Sequence, residues 1–95
     1  NNLAWILASS SNKNIRNPRE SLSIANKLNA ETNNQIPQIL DTLAAAQAAN
    51  GQFENAVKSA DLAISKLKKN TPLTKSIEER LNLYKQKKSL SISKD

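Results

Sequence analysis

A single glycine in ninety-five residues, Gly51, separates two alanine-rich stretches whose small side chains recur at helical spacing. On the first, Leu40, Leu43, Ala44 and Gln47 share one side of a helix expected over about residues 35–49. On the second, Phe53, Ala56, Val57, Ala60, Ile64 and Leu67 predict a helix from Phe53 to about Lys69, whose lysine-rich last turn suits the helix dipole. Alanine on both facing stripes lets two antiparallel helices approach closely. A lone glycine straight after Asn50 supplies the left-handed residue that ends the first of them.

Three further helices follow from period and punctuation. The first reaches about Ser9, with Leu3, Ile6 and Leu7 on its buried side. The second starts near Pro18, after Asn17 as cap, and runs through Leu22, Ala25 and Leu28 to about Ala30, where Thr32-Asn33-Asn34 ends it. The fifth, about Leu73 to Lys88 after the break at Asn70-Thr71-Pro72, places Leu73, Ile77, Leu81 and Tyr84 on one stripe. Ser89 to Ser93 alternates like a strand, yet a short run without a partner strand is expected to fray. The expected fold class is all-α, with no sheet.

Composition narrows the chemistry. The chain lacks Cys, His and Met, which removes disulfides, thiol nucleophiles, imidazole acid–base work and most zinc or haem ligation. With 38% apolar residues and a mean hydropathy of -0.59, no window approaches the ~20 apolar residues of a membrane-spanning helix. The expectation is a non-enzyme without cofactor or metal. Asp41 and Asp61 make a poor pair for hydrolysis, because they lie on different helices with no glycine loop to seat a substrate. Glu78 and Glu79 are adjacent, splayed by about 100° on a helix, and do not share a ligand.

The net charge of +6 sits at one end of the chain. Residues 1–65 balance five cations with five anions, whereas residues 66–95 set nine cations against three anions. Lysines also serve helix ends and solubility. Single-strand binders interleave such charge with stacking aromatics, and only Tyr84 lies there, so no specific nucleic acid is expected. An electropositive module, using residues 66–95 on nucleic acid or an anionic membrane, is the alternative reading.

The chain also repeats itself weakly. Leu3-Ala4 matches Leu43-Ala44 at an offset of 40, and Ser21-Leu22-x-x-Ala25-x-x-Leu28 matches Ala56-Val57-x-x-Ala60-x-x-Ala63 at an offset of 35. The five-residue difference between them falls in the Ser/Asn/Lys-rich stretch 9–18, which has the composition of a surface loop. Asn1 aligns inside a helix of the second copy, so the chain is expected to begin within a helix of a longer parent.

The pattern Leu40-x-x-Leu43-Ala44-x-x-Gln47, then Gly51-x-Phe53-x-x-Ala56-x-x-x-Ala60-x-x-Ala63, resembles a tetratricopeptide repeat. Gln47 and Ala60 stand where that family often has aromatics. Together with Asn1-Asn2-Leu3-Ala4-Trp5-Ile6-Leu7-Ala8, it is similar to the carboxy-terminal repeats of large bacterial repeat proteins. The resemblance implies antiparallel helix-turn-helix repeats, a fragment of an α-solenoid: a degenerate pair over 1–34 with an inserted loop at 9–18, a second pair over 35–70, a capping helix over 71–88 that contains Leu81, Leu83 and Tyr84, and a flexible basic tail over 89–95. It implies a scaffolding module for a protein or peptide ligand, at the end of a longer array. Membrane contact would come only through an upstream part of the parent.

In that family the first helix of each pair lines a concave groove. The resemblance places Asn1, Trp5, Gln38, Asp41, Thr42 and Ala45 there, along with Ala8 and Ala49. The helical wheel agrees in part, since Trp5 lies about 200° from Leu3 and Leu7 and leaves their stripe. It either faces a ligand or is covered locally, with Ile15 in the inserted loop as the expected cover. Asp41 is a groove contact or a solvated helix residue. Trp5, Ala45 and Asp41 depart from the Lys/Asn/Arg clamp with which some members hold peptide carboxy-termini, so a chaperone-tail receptor is not expected.

Overall fold

All three prolines of the chain stand at helix starts. Pro18, Pro37 and Pro72 open three of the five helices of the computed structural model: α1 Asn2–Ser9, α2 Pro18–Glu31, α3 Pro37–Ala49, α4 Phe53–Lys66 and α5 Pro72–Lys85. A first-turn amide has no intrahelical acceptor, so proline costs nothing there and its fixed φ favours the helix. The structure describes residues 2–10, 15, 17–67 and 70–87. Among them there is no strand, and no helix is long and apolar enough to cross a membrane. The expected tail over 89–95 lies outside the described residues.

Side chains close two of the helix starts. The Asn17 side chain accepts from the Glu20 amide at 3.2 Å, and its own amide donates to the Glu20 carboxylate at 3.2 Å. Thr71 and Thr74 form a reciprocal capping box, each backbone amide donating to the other's hydroxyl at 3.3 Å. The ends of α2 and α3 repeat one device. Asn33 and Gly51 turn left-handed, at φ 57° and 80°. Their amides return to Ala30 and Ala48, while the next amides, of Asn34 and Gln52, return to Asn29 and Gln47. Asparagine tolerates that conformation through its short polar side chain, and glycine has no Cβ to object.

The helices pack antiparallel in chain order, α1 on α2, α2 on α3, α3 on α4 and α4 on α5, and α1 also touches α3. Helix α3 is therefore central, and Leu40 through Ala46 are all buried. Its two sides serve two clusters. Leu40, Ala44 and Ala48 meet Ala56, Ala60 and Ala63 of α4 and Ile77, Leu81 and Tyr84 of α5. Leu43, Ala45 and Ala46 meet Ala4 and Ala8 of α1 and Ala25 of α2. Among the described residues, ten of the sixteen buried apolar side chains are alanine, which is what lets the helix backbones lie close. Phe53, Val57, Ile64, Leu67 and Leu73 fill the margins of the first cluster.

One helix turns a different face inward than its pattern suggested. Leu3 and Ile6 of α1 are exposed at 55% and 47%, while Ala4, Leu7 and Ala8 are buried. Contact with both α2 and α3 selects small residues at the crossing, because a leucine there would hold the backbones apart. Ser21, buried on α2, donates to the Ala4 carbonyl at 2.6 Å and fixes that crossing. The side-chain carbonyl oxygen of Gln47 accepts from the Ser59 hydroxyl at 2.7 Å, so α3 and α4 are joined by polar contact.

Candidate functional site

One group of polar contacts joins three helices that are not neighbours in sequence. Arg80, midway along α5, donates from Nε to Asp41 Oδ1 at 2.9 Å and from Nη2 to Oδ2 at 2.6 Å. The planar fork of arginine matches a carboxylate in this two-point manner. The same guanidinium lies over the ring of Trp5 on α1, 5.0 Å from its centroid, within the range of a cation–π contact. One side chain of α5 thus ties α1 to α3.

The group is largely withdrawn from water, with side-chain exposures of 20% for Arg80 and 9% for Asp41. Burial pushes the Asp41 carboxyl above the ordinary aspartate range, and the hydrogen bond and charge of Arg80 offset this only in part. Tyr84, one helical turn after Arg80, is buried and its hydroxyl has no hydrogen-bond partner among the described residues. Burial first, then the negative charge of Asp41, pushes its phenol well above the usual tyrosine value.

Asp41 is neutralised by Arg80, and Asp61, Glu78 and Glu79 are exposed. Among the described residues no three acidic side chains gather where a metal ion would sit. An open hollow of about 540 Å³ between the start of α4 and the end of α5, lined by Gly51, Gln52, Phe53, Glu54, Asn55 and Lys87, shares no residue with the Arg80 group.

The groove residues expected from the resemblance separate into two sets. Trp5 is half-buried and Gln38 is exposed, so both reach solvent. Asp41, Thr42 and Ala45 are buried, because the side of α3 that carries them faces other helices of this chain. Thr42 donates to the Gln38 carbonyl of its own helix at 3.0 Å, and Ala45 belongs to the α1–α3 cluster. Ala8 is buried and Ala49 half-buried; Asn1 lies outside the described residues. Asp41 is therefore not a solvated helix residue. The side chain laid over Trp5 is Arg80, while the expected cover, Ile15, is 45% exposed.

Sequence reasoning counted Arg80 among the cations of the basic end and missed its role. Nothing local marks it, since its partners lie 39 and 75 residues earlier. Of the other cations in that end, Lys66 donates to the Gln35 side chain at 3.1 Å. Comparison with family models, curated proteins and solved structures finds no match to this chain.

Proposed function

We propose that this chain is a non-catalytic module of stacked helical hairpins, of tetratricopeptide type, that docks a protein or peptide segment along the side built by α1, α3 and α5. The observation that carries the reading is the bridge from Arg80 to Trp5 and Asp41. Through the reach of one long side chain it links alternate helices of the chain, α5 to α3 and α1, and arrays of that type present the first helix of each pair in that alternate order. Closely packed alanines at the helix crossings support the same reading. Contact would fall to the residues of that side which reach solvent, Trp5 and Gln38, with Asp41, Thr42 and Ala45 supporting them from within.

The charge partition favours a second reading, an electropositive surface over residues 66–95 that engages nucleic acid or an anionic membrane. A peptide library selected on the purified chain separates the two. Groove docking expects a peptide whose affinity falls at least about tenfold in Gln38→Arg, an exposed position where substitution leaves the core intact, and varies little with salt. Binding only to polyanions or anionic vesicles, collapsing between low and physiological salt, would replace the first reading with the second.

A further inference from the structure

The geometry points to Asn50-Gly51 as a site of spontaneous deamidation that the fold holds closed, and whose product uncouples α2 from α3. Asn50 is the one asparagine followed by glycine, since the chain has no other glycine. In such a pair the glycine nitrogen is unhindered by a neighbouring Cβ and reaches the side-chain carbonyl carbon of the asparagine. The Gly51 nitrogen bonds to Asn50 Cγ and loses its proton as ammonia leaves, giving a cyclic imide. Water then opens the imide at either carbonyl, to aspartate or isoaspartate. Water is the only co-reactant, and nothing is oxidised or reduced.

In the folded chain both nitrogens of this step, the attacking one and the leaving one, are engaged. Asn50 Nδ2 donates to the Pro18 carbonyl at 2.8 Å and to the Ala46 carbonyl at 2.7 Å. The attacking amide of Gly51 donates to the Ala48 carbonyl at 3.0 Å. Ring closure therefore waits for the last turn of α3 to open, a local event at the low-stability end of a fold. The same contacts define the damage. Asn50 Nδ2 is a hydrogen-bonded link from the end of α3 to the start of α2, and the product puts a carboxylate against the carbonyl oxygens of Pro18 and Ala46, the latter at the negative end of α3. This inference does not depend on the docking reading.

The test incubates the full chain at mildly alkaline pH, in native buffer and in concentrated guanidinium chloride, and locates the amide-to-acid mass change by peptide mapping. Conversion at Asn50 is expected in both, at least about tenfold slower in native buffer, and Gly51→Ala is expected to suppress it in denaturant, where the fold plays no part. Equal rates in the two solutions would overturn the gating, and an unreacted Asn50 in denaturant would overturn the site itself. For the consequence, Asn50→Asp is expected to lower Tm more than Asn50→Ala, which removes the same bonds without adding charge. An Asn50→Asp chain as stable as the parent would refute the uncoupling.

Discussion

Arg80 and Asp41 stand 39 residues apart and meet through two hydrogen bonds, 2.9 and 2.6 Å long, inside the packed helices. A buried pair is weak evidence of net stabilisation against an apolar replacement, but losing one partner strands the other. Arg80→Ala is therefore expected to cost about 3 kcal/mol, read from urea unfolding. The double variant Arg80→Ala/Asp41→Ala should cost clearly less than the sum of the single ones. Simple additivity would mean that the two side chains do not act together.

The pH dependence of the same pair has a definite sign. Burial raises the folded Asp41 carboxyl above its unfolded value, despite Arg80, so the folded chain takes up a proton there before the unfolded chain does. This contribution is complete below the ordinary aspartate value of about 4 and is lost as pH rises through the higher folded value. Asp41→Asn removes it. Stability of the parent minus that of Asp41→Asn is expected to grow between about pH 7 and about pH 4; a difference that shrinks would make the attraction of Arg80 the stronger effect.

Tyr84 offers an independent probe because it is the chain's one tyrosine. With its phenol pushed up by burial and by Asp41, tyrosinate absorbance should appear only together with alkaline unfolding, and stability should fall as pH rises past about 10. Replacing a buried hydroxyl that has no partner removes a desolvation cost. Tyr84→Phe should be neutral or stabilising by up to about 1 kcal/mol. Marked destabilisation would place a hydrogen bond on that oxygen.

The helix crossings make a further prediction. Ala44 and Ala60 are fully buried in the cluster shared by α3, α4 and α5. Enlarging either to leucine should cost about 1–3 kcal/mol by overpacking. The exposed Ala30 supplies the control, where leucine should change stability by less than about 0.5 kcal/mol. Equal effects at buried and exposed sites would dismiss close helix approach as the reason for the alanines.

The one Trp reports on the Arg80 contact directly. Trp5 lies under the guanidinium, so Arg80→Ala should raise the exposure of the indole. Its fluorescence emission should move to longer wavelength and acrylamide quenching should increase, while far-ultraviolet dichroism stays helical. An unchanged spectrum would place the cover of Trp5 elsewhere.

What the sequence determined by itself is local. Apolar residues at three-and-four spacing, prolines able to open a helix, and the Gly51 stop placed five helices to within a few residues, because those preferences act over one or two turns of the chain. The boundary shifts are of the same local kind: α3 begins at Pro37 and α5 ends at Lys85, where a left-handed Lys87 follows. Tertiary packing decided which face each helix turns inward. Helix α1 buries Ala4 and Ala8 and leaves Leu3 and Ile6 outside, because hydrophobicity alone rewards any apolar face while contact with two other helices rewards the smallest. It also decided that Asp41 lies inside and that the cover of Trp5 comes from α5. Charges so far apart along the chain meet only after the helices have stacked, and no spacing in the sequence records that.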